Sequence, residues 1–379
     1  MTAGPGAPPA PGGTEAEIGI VGSYGDVGAA AAAWLRDAGA GRLRLGGRDA
    51  ARAESQAKEL GGARALRVDA ADPAALARFC AGCDIVVNCA GPARVIGTRV
   101  AAAAHAAGAA YVDAAGDDPL HAALGALSWS RPAVVSAGMM PGLSGLLPRL
   151  LADPLVPGSG GRTLEAYVGG RDTFTVAAAL DYLGASGAGY GAARAAWRDG
   201  RRVAGALGTR TGVRLPRFPD RVTAVPYLST ETERLAARLE LDRVDWWSAF
   251  PGEHVVAALS RGAAGDEAAL RAAADGLRAA AELDCFGHDR YQLMVFGLSD
   301  GARTRTLALR AVGAGALSGT TAGLAALAVA GGLVGPGVHH LADVLDPRWA
   351  VDLLRGSRAV TALEVFDGDP DEADEEGTI

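Results

Sequence analysis

Short apolar, β-branched blocks alternate with alanine-rich stretches through residues 17–137. The blocks EIGIV, RLRLG, ALRVD, DIVVNCA, AYVDAA and AVVSAG have the length and composition of buried strands. Helices between them are expected to start near Val27, Ala50, Asp72, Ile96 and Pro119. Such alternation predicts βαβ units and a parallel sheet with both faces covered. After Pro141 the rhythm changes. The apolar stretches become longer and more amphipathic: TLEAYVGG, RVTAVPYL, VDWWSAF, YQLMVFGL and TRTLALRAV. The last two flank SDGA, whose Asp300-Gly301 pair is a hairpin turn signal. DEAALRAAADGLRAAAEL carries helical periodicity in the same region. The expected class is α/β, a Rossmann-type parallel-sheet domain with a second α+β domain built on a mixed sheet.

Ala311–Val338 carries no charge and is long enough to raise the question of a membrane span. Glycine and alanine dominate it, Gly335-Pro336 interrupts it and no basic cluster flanks it, so a buried helix from about Ser318 to Ala330 is predicted. The two ends have nothing to pack. MTAGPGAPPAPGGT is a Pro/Gly/Ala tail, and DGDPDEADEEGTI is an acidic run. The expected organisation is a disordered tail at 1–14, a cofactor domain at 15–141 and a substrate and dimerisation domain at 142–312. A helix and strand at 313–367 return to the cofactor domain, and an acidic tail occupies 368–379.

Composition narrows the function. A chain of 379 residues with 49% hydrophobic and 21% charged residues suits a globular enzyme of two domains. A net charge of -7 argues against nucleic acid as the main partner. Four cysteines, Cys80, Cys83, Cys89 and Cys285, form no secreted-type framework, and no signal peptide is evident, so a reducing cytoplasm is expected. Lys58 is the single lysine. That excludes a P-loop, the Tyr-x-x-x-Lys pair of short-chain dehydrogenases, and a Schiff base on any other lysine.

Gly22, Gly25 and Gly28 follow the first strand at the start of a helix. In that context the first permits a sharp turn, the second lets backbone approach a pyrophosphate, and the third lets helix and strand pack closely. The loop Gly22, Ser23, Tyr24, Gly25, Asp26, Val27 is therefore the expected phosphate cradle. About 20 residues further on, an NAD-binding chain usually places an acid on the ribose. Here RLRLGGRD puts Arg48 there, and a guanidinium pairs with a 2′-phosphate, so NADPH is the expected cofactor. Cys80-Ala-Gly-Cys83 lacks a second ligand pair, so buried structural thiols are expected and no metal site.

DIVVNCAGPARVIGTRVAAAAHAAGAAYVDAAGD, residues 84–117, resembles the signature segment of saccharopine dehydrogenase-like (saccharopine reductase) proteins. The resemblance rests on Asn88, Gly91-Pro92, Tyr111-Val112-Asp113, Gly116 and Asp117, and extends to the glycine loop, the GR after the second strand and SAGMMPGLSGLLPRLL. It covers about residues 17–150. GVHHLADVLDP resembles the family's closing segment, which packs back on the cofactor domain. The resemblance implies that Ala90, Gly91 and Pro92 face the nicotinamide ribose and Asp69 the adenine. It also implies that Asp113, Gly116 and Asp117 lie beside the hydride-transfer position.

The Lys/His pair of the oxidising saccharopine dehydrogenases cannot be assembled around Lys58, which argues against saccharopine itself. Candidate proton donors are Asp117, Tyr182 in AAALDYLGAS and His254 in PGEHVV. Trp246-Trp247, Phe174, Tyr182 and Tyr190 fit either core packing or a flat substrate. The expected function is NADPH-dependent reduction of a C=N bond, imine or thiazoline-like. The substrate would be small or carrier-tethered, from specialised metabolism, and the enzyme a cytoplasmic homodimer without membrane or nucleic-acid partners. The alternatives are a dehydrogenase or enoyl reductase on an amino-acid or lipid precursor, and a non-catalytic NADP-binding regulatory protein.

Overall fold

A computed structural model of the chain describes residues 14–152, 161–184, 189–262 and 266–371. Apart from Thr14 and residues 368–371, the expected tails lie outside the described residues. The chain divides into two units, one of residues 1–143 and 315–357, the other of residues 144–314 and 358–379.

Unit one is built on β1 (Glu17–Val21), β2 (Arg42–Gly47), β3 (Arg64–Arg67), β4 (Ile85–Asn88), β5 (Ala110–Asp113) and β6 (Pro132–Val135). Between and after them run α1 (Asp26–Asp37), α2 (Ala50–Glu59), α3 (Pro73–Cys80), α4 (Ala93–Ile96), α5 (Arg99–Ala106) and α6 (Asp118–Gly125). β1, β4, β5 and β6 are buried at every position, which is why they read as unbroken apolar runs. Asp49 and Asp72 cap α2 and α3 through backbone N–H groups.

Unit two starts with α7 (Leu143–Ala152), whose first residue is the last of unit one, and β7 (Thr163–Arg171). α8 (Val176–Gly184) and four short strands follow: β8 (Gly191–Ala193), β9 (Ala196–Arg198), β10 (Arg201–Val203) and β11 (Arg210–Val213). Then come β12 (Val222–Ser229), α9 (Thr230–Arg238), β13 (Arg243–Phe250), α10 (Glu253–Arg261) and α11 (Glu267–Cys285). The hairpin β14 (Tyr291–Ser299) and β15 (Thr304–Ala311) closes at Asp300-Gly301 as predicted. The chain continues through α12 (Ala314–Ala330), β16 (Gly337–His340), α13 (Leu341–Val344), α14 (Pro347–Arg355) and β17 (Val360–Asp367).

The sheet of unit one has seven parallel strands in the order β16-β6-β5-β4-β1-β2-β3. Its first six strands follow the dinucleotide-binding order, reversing between β1 and β4. The seventh, β16, comes from the far end of the chain and pairs His340 with Val135. α12 returns to this unit as well, packed on α1 through a stripe of glycines. A Cβ on Gly319 would lie 2.2 Å from Val27 O, and one on Gly323 2.8 Å from the Trp34 ring. α12 starts at Ala314, four residues earlier than the sequence predicts, and is buried over most of its surface. No helix among the described residues is long and apolar enough to cross a membrane.

Unit two is a ten-stranded mixed sheet, β10-β9-β13-β7-β14-β15-β17, with β12 beside β13 carrying β11 and β8. Successive residues of β13 serve opposite faces. Trp247 and Ala249 pack with Leu215, Phe218 and Tyr291, while Phe250 packs with α8, α10 and α11. Residues 313–367 do not all return to the cofactor domain: β17 pairs with β15 in unit two. Its partner edge is the outer strand of the long hairpin, which offers a full row of backbone groups to an antiparallel neighbour.

Candidate functional site

The chain leaves β1 through Gly22, whose φ is +80°. A Cβ there would lie 2.8 Å from Ala90 N, so the loops after β1 and β4 approach this closely only with glycine. Gly22 N and Ser23 N both donate to Gly46 O, tying the loop to the end of β2. At Gly28 a Cβ would meet Gly22 O at 2.2 Å, the close helix–strand contact expected of the third glycine. Gly25 differs. It is exposed, and Gly22 O at 3.4 Å is the nearest atom its Cβ would meet. Gly25 is the N-cap of α1 and no side chain caps that helix. The first N–H groups of α1, those of Asp26 and Val27 among them, therefore have no intrahelical acceptor and suit an anion. Ser23 Oγ is buried in the same loop without a hydrogen-bond partner. This cradle fits the pyrophosphate of a dinucleotide.

Three arginines ring the end of β2. Arg48 is exposed, its carbonyl accepting from Arg67 Nε at 3.1 Å. The Arg52 guanidinium lies 4.4 Å from the centre of the Tyr24 ring. Tyr24 in turn covers Gly47, where a Cβ would be 2.3 Å from the ring, and accepts from Asp49 N at 2.8 Å. Positive charge thus gathers at the end of β2, and guanidinium groups of this kind suit a phosphate. The sequence singled out Arg48 alone; Arg52 stands about one helical turn beyond it. Asp69, after β3, accepts from Ala71 N at 2.9 Å and holds its own turn.

At the carboxyl ends of β4 and β5, Asp113 organises a buried network. Asn88 Nδ2 donates to Asp113 Oδ2 at 3.0 Å, the Tyr111 hydroxyl donates to the same oxygen, and Ala115 N donates to Oδ1. Burial pushes the Asp113 carboxyl above its ordinary value, against the pull of these donors, and pushes Tyr111 well up. Asn88 Oδ1 accepts from Ala90 N, fixing the start of the Gly91-Pro92 loop, whose peptide bond is cis. Asp113 acts here through the loop, holding Asn88 and hence Ala90 in place.

One strand further on lies a cluster that the sequence did not reveal. Ser136, directly after β6, has φ +57° and is fully buried. Its hydroxyl lies 2.8 Å from Gly116 O and 3.0 Å from His340 Nδ1. His340 Nε2 lies 3.1 Å from Asp118 Oδ1, and the His121 ring stacks on His340 with centres 4.3 Å apart. Asp117 caps α6 by accepting from Asp118 N. Donor atoms of Asp117, Asp118 and His340 lie within 4.8 Å of one another.

The other expected donors belong to unit two. Tyr182 packs edge-on against Phe174 and Phe250 and is hydrogen-bonded to Ser248; burial pushes its phenol up to about 12. His254 is exposed at the start of α10, its Nδ1 2.7 Å from Asp284 Oδ1. Asp284 also accepts from the backbone of His254 and Val255, so the pair closes a helix end. Trp246 and Trp247 are both buried on opposite faces of the sheet, which accounts for them as core. Cys80 and Cys83 are free, buried thiols; burial pushes them up to about 12 and about 11.

Residues 18–132 match the family model of the saccharopine dehydrogenase NADP binding domain. Among solved structures, the chain is similar to apo histidine-tagged saccharopine dehydrogenase (L-Glu forming) from Saccharomyces cerevisiae. The TM-score is 0.65 at 16% identity, over 93% of this chain and 100% of that one. The triphenylmethane reductase of Citrobacter sp. complexed with NADP(H) matches over 26% of this chain and 36% of its own, at 21% identity and TM-score 0.24. Pen from Bacillus thuringiensis matches over 26% of this chain and 37% of its own, at 15% identity and TM-score 0.24. No curated protein matches the chain.

Proposed function

We propose, from the match of residues 18–132 to the saccharopine dehydrogenase NADP binding domain, an NADPH-dependent reductase of a carbon–nitrogen double bond. The substrate would be an imine or thiazoline-like group, small or carrier-tethered, of specialised metabolism. The observation that carries this reading is the shared edge: groups able to hold a proton, Asp117, Asp118 and His340, stand at the carboxyl ends of the strands that carry the dinucleotide cradle. A C=N reduction needs hydride and proton at neighbouring positions.

NADPH, when bound, supplies a hydride from its nicotinamide ring. Gly22 to Val27 would hold the pyrophosphate, and Arg48, Arg52 and Arg67 the 2′-phosphate. Asp113 holds Asn88 and the Gly91-Pro92 loop in place for the ribose. Asp117 stands beside the reacting centre in this reading. A lysine-based mechanism has no support: Lys58 is exposed on α2.

NADPH oxidation in the presence of simple cyclic imines tests the reading. Gly25→Val supplies the control, because the new side chain has room in the protein but occupies the approach of the pyrophosphate. It should cut NADPH affinity at least about tenfold, roughly the loss of one or two charge-assisted hydrogen bonds, with an unchanged circular dichroism spectrum. Tight binding by a folded Gly25→Val protein would remove the cradle, and the reductase reading with it.

A further inference from the structure

Ser136 and His121 extend the Asp118–His340 contact into a chain that the cofactor cradle does not use. Ser136 has one hydroxyl proton and two neighbours for it, Gly116 O and His340 Nδ1. If it donates to the carbonyl, which can only accept, Nδ1 must carry a proton and donate to Ser136. Nε2 then faces a carboxylate oxygen of Asp118 at 3.1 Å, an attractive contact when Nε2 carries a proton too. The groups near the imidazole include Asp117, Asp118 and His121 from the α6 segment and Ser136 just after β6. His339, its chain neighbour, bonds instead to the carbonyls of Gly335 and Pro336. The imidazole is buried, whereas the Asp118 side chain keeps about a third of its surface exposed, 35% against 6%.

We propose that Asp118 and His340 are the proton-delivering couple of the reaction, His340 storing the proton and Asp118 passing it to the substrate nitrogen. The inference rests on the reductase reading above and goes past it by assigning residues outside the expected donors. Hydride leaves the nicotinamide of NADPH for the imine carbon, and the C=N π pair moves to nitrogen. Nitrogen bonds a proton that leaves His340 Nε2 and crosses by way of the Asp118 carboxylate, which ends ionised as it began. The products are the amine, NADP+ and a neutral imidazole, which water reprotonates. Histidine suits the storage role because it exchanges its proton near neutral pH. Asp118 touches the reacting nitrogen and is catalytic; His340 acts through it and is a positioning and storage residue, and Ser136 fixes its ring.

The couple has a signature that needs no substrate. The nicotinamide ring is cationic in NADP+ and neutral in NADPH, so an imidazolium at this edge should give up its proton more readily when NADP+ binds. Calorimetry of the full chain near neutral pH, in phosphate and in Tris, counts protons released on binding each nucleotide. Release with NADP+ but not NADPH is expected, and its loss in His340→Asn. A wild-type protein that binds both with equal proton release overturns the proposal, as does a folded His340→Asn protein that keeps the difference. Should His340→Asn not fold, imidazole NMR of the wild type decides. One of the six histidines must titrate differently in the two complexes, and its midpoint must move in Asp118→Asn; no such histidine overturns the proposal. If neither nucleotide binds, the reductase reading itself falls, which is a separate result from bound nucleotides without proton linkage.

Discussion

Arg48 illustrates what a single position can and cannot disclose. It stands where an NAD-dependent chain usually places an acid, and it is exposed at the end of β2, where its carbonyl accepts from Arg67 Nε. A charge-assisted contact to a 2′-phosphate is worth on the order of 1.5–3 kcal/mol. Arg48→Ala should therefore lower the preference for NADPH over NADH about tenfold or more, and Arg48→Asp should turn it towards NADH. Calorimetric affinities for both nucleotides check this; an unchanged ratio in Arg48→Ala would move the phosphate contact to Arg52 and Arg67. The glycines and Arg48 were legible because each answers a local need, a turn or an anion. His340 was not, because its partner Ser136 lies 204 residues away in the sequence and meets it only through the β16–β6 pairing.

Elements were legible where burial alone shapes them. The inner strands β1, β4, β5 and β6 are buried on both faces and so announce themselves, and the β14–β15 hairpin is marked by its Asp-Gly turn. The strands β8 to β11 were not foreseen. Sequences such as GAA and RRV have no strand pattern, and these pieces extend only because β12, β13 and, for β10, β9 offer them backbone partners. α9 did carry a readable start, Ser229 capping Thr232 N ahead of two glutamates in the first turn. α12 is the instructive case, since a helix buried almost all round has no amphipathic signal and is recognised by its lack of charge. Its glycines set how closely it lies on α1. Gly319→Val would drive a side chain into Val27 O at 2.2 Å, on the segment that follows the cofactor loop. Overpacking of this kind costs typically about 1–3 kcal/mol, so the thermal midpoint should drop by several degrees. NADPH affinity should fall with it, because Val27 is part of the first turn of α1. A variant with the parent's melting curve would mean that α1 and α12 do not rest on each other at Gly319.

At the scale of the whole molecule, the family match ends at residue 132 but the unit that carries it does not. β6 would be left as an unpaired apolar edge without β16, and α1 would lose the helix seated on its outer face. Ser357 and Thr320 add a polar contact between the end of α14 and α12, so the returning segment also braces itself. The chain therefore completes its cofactor unit only after the whole of residues 144–314 has been made, and then leaves again to lay β17 on unit two. Residues 15–143 alone should fail to give a cooperative thermal transition and should expose apolar surface to a dye such as ANS. The same fragment joined by a flexible linker to residues 315–357 should melt cooperatively and bind NADPH, since every strand of its sheet and the glycine contacts of α12 are then present. Calorimetric melting of the two fragments and nucleotide titration check the argument. A short fragment that melts cooperatively and binds NADPH as well as the joined one would show that β16 and α12 decorate the cofactor unit rather than complete it.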